Sequence, residues 1–291
     1  MSQPPAAAEA FDRFLVQLEA GSVGSLELFG PAGGDAAPGA GPDADHERDV
    51  PAWPAQVVSV LFNGQDAAGA KGWARRVHTE LVRLDGHVPF TVVHDWHAGT
   101  VMPLLAEANE RHGEGAGAQQ AVQRLHARAA TGERVAEDEW RAALGPALRE
   151  VYRHAYAYED AFATASANAR AYATANGYDE DKAVAFGETY ATLNTTANAT
   201  SYADANALAN TAATASAYAA ADARAYAEAY PFASVHAYAL AHAHAHTGQD
   251  EAAERDERLR VAYGRLADGL ADSLARAAGG IGAVGTAGTA S

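Results

Sequence analysis

Cysteine is absent from this chain, which excludes disulfide bonds, cysteine-ligated zinc and thiol nucleophiles. Lysine occurs only at Lys71 and Lys182, and the 21 basic residues face 37 acidic ones, giving a formal net charge of −16. Nucleic acids and anionic membrane surfaces bind clustered Lys and Arg, so neither is an expected partner. Aromatic residues make up only 8% of the sequence, and much of the apolar content is alanine, which buries little surface.

Targeting and membrane signals are also missing from the sequence. No uninterrupted apolar run reaches the roughly 18 residues of a membrane-spanning helix, and the first residues lack the basic start of a signal peptide. A cytoplasmic location is therefore expected. No GxxxxGK[ST] motif occurs, and no Ser-His-Asp arrangement can be read from residue spacing.

The dominant feature is an alanine array between Tyr152 and His246. Alanine fills nearly every odd position, and every tyrosine from Tyr152 to Tyr238 has an even number. Alternation with period two is typical of strands, whereas alanine is the best helix former and a poor strand former. We predict helices, and since alternation distributes alanine around a helix axis, the larger residues must define its face. Phe186, Tyr190 and Leu193 fall at helical spacing, and Leu208 follows Phe186 by twice eleven residues, a period that keeps one face.

The predicted fold class is mainly α, with long alanine-rich helices packed as a bundle and a small N-terminal α/β portion. Five regions are expected: an N-terminal helical segment at 1–30, a Gly/Ala/Pro linker at 31–53, the α/β portion at 54–134, the Ala/Tyr-rich helical region at 135–278 and a flexible tail at 279–291. The opening helix and turn resemble those of SnoaL-like, nuclear-transport-factor-2 folds. The alanine-rich helix contains few Leu and Ile, so its stability in isolation would be marginal. We therefore expect it to pack on helix 137–177, on the final helix or on another copy of the chain.

Two strands are predicted within 54–134, at 57–62 and 88–96, alternating with helices in a βαβ unit. The second strand ends in HDWHAG, from His94 to Gly99, and strand ends are where α/β folds place ligand sites. The hexapeptide is similar to one in glycogen and starch synthases. His94, Asp95 and His97 are therefore a candidate site for acid–base chemistry or metal binding, and the alternative is that they cap a helix beside a core tryptophan.

A second candidate site is the histidine-rich segment near the end of the array, with His236, His242, His244 and His246. On a helix, His242 and His246 are four residues apart and suit one zinc or other divalent ion. The alternative is that histidine fills the variable position of the Ala-X pattern. No other cofactor is expected.

Thr189, Thr200 and Thr211 are spaced by eleven residues and resemble the threonine row of alanine-rich helical antifreeze proteins, which implies ice binding. Three functions thus follow from the sequence. The favoured one is a non-enzymatic structural or interaction protein whose Ala/Tyr-rich helices self-associate or dock on a protein partner. The alternatives are a metal-binding module or metal-dependent enzyme, and ice or surface binding.

Overall fold

A computed structural model of the protein describes Val16, residues 52–245 and residues 252–286. The predicted segment 1–30 and nearly all of the linker 31–53 lie outside the described residues. Eleven α-helices and one π-helical turn form the described part of the chain, and no strand occurs in it. The helices are α1 (Ala52–Gly64), α2 (Ala67–Arg83), α3 (Thr91–Trp96), α4 (Met102–Arg111), α5 (Gly117–Ala130), α6 (Glu137–Ala155), α7 (Tyr158–Ala175), α8 (Glu180–Ala220), α9 (Ala223–Glu228), α10 (Pro231–Ala243) and α11 (Ala252–Thr286), and the π-helical turn is His97–Val101.

The mainly α prediction is confirmed, but the predicted α/β portion is wrong. The first predicted strand lies inside α1, and most of the second forms α3. A short apolar run bounded by glycine does not distinguish a buried helix from a buried strand. The spacing of apolar residues over the whole segment does indicate a helix, because the buried residues of α1 recur at helical intervals: Trp53, Val57, Val58, Leu61 and Phe62.

One apolar core joins the predicted regions 54–134 and 135–278. The last helix, α11, is central to it: the indole of Trp73 donates to the carbonyl of Ala267 at 2.7 Å, and that of Trp96 donates to Leu266 at 2.9 Å. Apolar residues at three- and four-residue spacing form a stripe along α11 and are buried: Tyr263, Leu266, Leu270 and Leu274. Helix α11 continues to Thr286, so the predicted flexible tail begins as helix.

The alanine array is helical, as predicted. Its longest helix, α8, has 41 residues and is therefore about 60 Å long. It runs antiparallel to α7 and then to α6, so the expected pairing with the 137–177 region is confirmed, although that region is two helices separated at Tyr156 and Ala157. Left-handed backbone at Ala221, with φ of 51°, ends α8.

The buried residues of α8 form a row of small side chains with a spacing of four. This small-residue row consists of Ala183, Gly187, Ala191, Thr195, Ala199, Ala203 and Ala207. Because successive helical residues rotate by about 100°, the row drifts by about 40° per step. Its first part faces α7, where Gly187 lies against Ser166, and its later part faces α6, where Arg149 donates to Asp204 at 2.6 Å.

The larger residues of α8 do not form the buried face that we predicted from them. Tyr190, Leu193 and Leu208 are exposed, and Leu208 retains 82% of its accessible surface. Every second alanine of the alternating pattern provides the packing face instead, because small side chains allow two helix backbones to approach closely. No helix in the described ranges is long and apolar enough to cross a membrane.

Candidate functional site

The HDWHAG motif lies at a helical junction, where α3 continues through the π-helical turn into α4. His94 and His97 point into the core, whereas Asp95 lies at the surface and accepts a hydrogen bond from Nε of Arg276 at 3.0 Å. The side chain of Gln123 donates to the carbonyl of Ala98 at 2.9 Å. The structure therefore separates the carboxylate from the two imidazoles with which the sequence grouped it.

Sequence reasoning missed His126, which joins His94 and His97 to form a buried histidine cluster. The Nδ1 atoms of His94 and His126 are 3.0 Å apart. Nδ1 of His97 is 2.8 Å from the carbonyl oxygen of Val93, which fixes the proton on that nitrogen, and Nε2 is 3.2 Å from the hydroxyl of Tyr218. His126 was detectable, since it shares a face of α5 with the apolar residues Val122 and Ala129.

Burial keeps this cluster neutral. Burial lowers the pKa of His94 from 6.5 to about 4. It lowers that of His97 to about 3, although the bond to Val93 opposes the shift and the neighbouring His94 adds to it. The pKa of His126 also falls well below its ordinary value, through burial and then through repulsion from the other two imidazoles. Charging any of these rings inside the core would be unfavourable.

The cluster is enclosed by aromatic rings. His94 stacks on Trp140 with centroids 5.7 Å apart, and Tyr218 contacts both His97 and His126. His97 and His126 stack at 4.6 Å with an interplanar angle of 21°, so their in-plane lone pairs do not converge on a common point. All three rings are buried, so none is open to a solute.

The histidines of the second candidate site diverge. Nδ1 of His236 lies 2.5 Å from the hydroxyl of Tyr263, and Nδ1 of His244 lies 3.0 Å from the carbonyl oxygen of His154. Nε2 of His242 is 3.1 Å from the guanidinium of Arg265. His246 lies outside the described residues. Among the residues that are described, no group of three or more His, Cys, Asp or Glu side chains is arranged to hold a metal ion.

The threonine row is not uniformly exposed. Thr189 and Thr200 are exposed, whereas Thr211 is partly buried. The hydroxyl of Thr211 lies beside Gly145 of α6 and donates to the carbonyl of Ala207 at 2.6 Å. The row therefore does not present three free threonines to a flat surface.

The most distinctive surface belongs to residues 158–197, which comprise α7 and the part of α8 that faces it; we call this hairpin the arm. Helix α8 is the principal neighbour of α7, and the first turn of α7 is tied to α11 by Arg255, which donates to Asp160 at 3.1 Å. Its buried side chains are all small, and Gly187 is required by the close approach: a Cβ there would lie 2.9 Å from the carbonyl oxygen of Ser166.

Large apolar side chains of the arm face solvent instead. Phe186 is only partly covered, between Tyr172 at 6.4 Å and Tyr190 at 6.3 Å, measured between ring centroids. Leu193 is 70% exposed. The large exposed residues of the arm are Tyr158, Tyr172, Tyr178, Tyr190 and Leu193.

Charge is sparse on this surface. No Asp, Glu, Lys or Arg occurs at positions 161–169, 171–178 or 189–203. Several polar side chains bond back to carbonyls of their own helix, as Thr164 does to Asp160 and Thr192 to Glu188, both at 2.8 Å. Such groups already have acceptors, so covering them costs less desolvation.

A groove of about 610 Å³ runs along the base of the arm between α7 and α8. Ala157 lines it just before α7, Ala161 and Ala165 line the α7 wall, and Tyr190 and Asn194 line the α8 wall. A groove with small residues on one wall accepts large side chains from a facing helix.

No protein-family model, curated protein or solved structure matches this chain.

Proposed function

We propose that the protein is a non-enzymatic interaction protein that self-associates through its arm, with a second copy of the chain as the partner. The observation that carries this proposal is that small side chains are buried in the arm and large ones are exposed, the reverse of the usual arrangement. The arm buries only small side chains between its helices, while Tyr190, Leu193 and the other large apolar residues remain exposed. Burial of apolar surface stabilises by about 25 cal/mol per Å². The large apolar side chains of the arm would contribute this stabilisation only when a partner covers them.

The charge distribution favours a second copy over an oppositely charged partner. A chain with a net charge of −16 repels its own copies. Two copies approach with least repulsion where charges are absent, and within the arm positions 161–169 and 189–197 carry none. A basic partner would instead be recognised through acidic side chains, which positions 161–178 and 189–197 of the arm lack.

The shape of the arm supports a two-fold contact between copies. In such an interface the same patch meets itself, so one exposed surface suffices. Two hairpins facing each other make a four-helix bundle, the usual arrangement in which helices of this kind bury large residues in facing grooves. Leu193 and Tyr190 of each copy would enter the groove beside Ala161 and Ala165 of the other.

Sedimentation velocity of the full chain, from about 1 to 100 µM, tests this proposal over the range of ordinary dimer affinities. We expect a dimer whose population rises with concentration and falls in Leu193→Asp. The matched control is Val82→Asp, which places the same charge on an exposed valine of α2. Circular dichroism checks that both variants remain helical. A monomer throughout this range, or equal loss of dimer in both variants, would overturn the proposal.

A further inference from the structure

A second cavity lies where the chain passes from α6 to α7, at the base of the arm. It has a volume of about 350 Å³, which is within the size range of small-molecule sites. Four parts of the chain surround it: the segment after α4, the α6–α7 junction, the residue after α10 and the start of α11. Its lining residues include His112, Glu114, Arg153, His154, Tyr158 and Arg258.

Cationic donors are concentrated here, although the chain as a whole is strongly acidic. Arg255 and Arg258 also line the cavity and are three residues apart on α11, so they share a face. Both are anchored: Nε of Arg258 donates to the carbonyl of Ala243 at 3.0 Å, and Arg255 pairs with Asp160. Only 18% of the Arg258 side chain is exposed. Guanidinium groups held in this way bind a carboxylate or phosphate with little further ordering.

The acidic lining does not cancel this preference. Glu114 is already engaged, accepting from His154 at 3.1 Å and from Arg153. Glu159 faces the cavity from the first turn of α7, and it is the second carboxylate among the lining residues. Arg255 and Arg258 thus face a cavity whose better-buried acid is already paired within the wall by the third lining arginine, Arg153.

His154 provides an independent indication that the cavity holds a ligand. Its side chain is only 4% exposed, and its Nδ1 atom has no hydrogen-bond partner among the described residues. Buried polar atoms normally have a partner, and one without it calls for an explanation such as a missing ligand. Burial lowers the pKa of His154 to about 3, so the ring is neutral. Because Nε2 donates to Glu114, Nδ1 is an acceptor and would take a hydrogen bond from a donor group of the ligand.

The walls are partly aromatic. The rings of His112 and His154 lie 3.9 Å apart between centroids, and Tyr156 and Tyr158 line the same space. Aromatic walls favour a ligand that carries a ring. We propose that this cavity binds a small organic anion with a ring, whose carboxylate or phosphate group is held by Arg255 and Arg258.

Isothermal titration calorimetry of the full chain tests this with three probes: benzoate, phenyl phosphate and the neutral benzyl alcohol, each to about 10 mM so that millimolar Kd values are detectable. We expect saturable binding of benzoate or phenyl phosphate, and the probe that binds more tightly identifies the anionic group. Benzyl alcohol should bind at least about tenfold more weakly, because it lacks the charge.

Variants locate the binding. Arg258→Gln and Arg255→Gln should each weaken the bound anion at least about tenfold, whereas Arg224→Gln, at an arginine 88% exposed on α9, should not. If Arg258→Gln fails to fold, Arg255→Gln still tests the cavity. Absence of saturable binding for both anions, equal binding of benzyl alcohol, or wild-type affinity in the folded cavity variants would overturn the proposal. The oligomeric state is a separate readout, so failure of this proposal can be told from failure of the proposed function.

Discussion

The hydroxyl of Tyr218 lies 3.2 Å from Nε2 of His97, across 121 positions of sequence. The bond joins the last turn of the alanine-rich α8 to the π-helical turn. Because Nδ1 of His97 donates to Val93, Nε2 is the acceptor and the Tyr218 hydroxyl is the donor. The end of the alanine array is therefore fixed to the core by a specific polar contact and not only by alanine packing.

Removing this hydroxyl should destabilise the fold. Tyr218→Phe leaves Nε2 of His97 buried without a donor, which costs about 1–3 kcal/mol in the free energy of unfolding. Tyr190→Phe is the matched control, since that ring is exposed and its change should stay within about 0.5 kcal/mol. Chemical denaturation measures both, and equal effects of the two substitutions would contradict the bond.

Stability should fall as the pH drops below about 6.5, the ordinary histidine pKa. The folded-state pKa values of His94 and His97 are depressed to about 4 and about 3, so between these values and 6.5 the unfolded chain binds more protons. Each such histidine contributes about 1.4 kcal/mol per pH unit in that window. Unfolding free energies measured between pH 5 and pH 7 test this; His126→Gln should reduce the slope, and a flat profile would show that the cluster is not neutral.

Two glycines of α11 should respond to alanine in opposite directions. A Cβ at Gly269 would overlap the side chain of Thr100, whereas nothing lies within 4 Å of one at Gly264. We expect Gly269→Ala to destabilise by about 1–3 kcal/mol through overpacking. Gly264→Ala should stabilise by up to about 1 kcal/mol through helix propensity. Thermal and chemical unfolding give both values, and stabilisation by both substitutions would mean that α11 does not pack against Thr100.

The metal site predicted at His236, His242, His244 and His246 stays a prediction. Nε2 of His242 lies 3.1 Å from Arg265 and 3.4 Å from Arg111, and two guanidinium groups oppose a cation there. We therefore expect untagged protein to show no stoichiometric zinc that depends on His242. Elemental analysis of the wild type and of a His242→Ala, His246→Ala double variant decides, and zinc at one per chain that is lost in the variant would contradict this expectation.

Helix positions could be predicted where apolar residues recur at three- and four-residue spacing. Trp140, Leu144 and Leu148 of α6 are buried as their spacing indicates, and so is the stripe of α11. The prediction failed at α1 and α3, because valine-rich runs favour strands locally while burial by surrounding helices decides the outcome. A six-residue window of sequence does not indicate which helices will surround it.

The sites were harder to predict than the helices. His94 and His97 were identified, but their partner His126 comes 29 positions after His97 on another helix, and only the packing of α3 against α5 brings it near. To predict the arm surface, one must know which residues of α8 pack inward. Large residues usually do, and here the alanines at every fourth position do so instead.

The absence of cysteine allows a direct measurement of the contact between arms, because any introduced thiol is unique. Leu193→Cys places one thiol on the exposed face of the arm, and Val82→Cys places one on an exposed position of α2. With a bifunctional thiol-reactive cross-linker long enough to span the interface, we expect a covalent dimer from Leu193→Cys that forms much faster than any from Val82→Cys. Equal rates for the two variants, or an arm variant that stays monomeric, would contradict self-association through the arm.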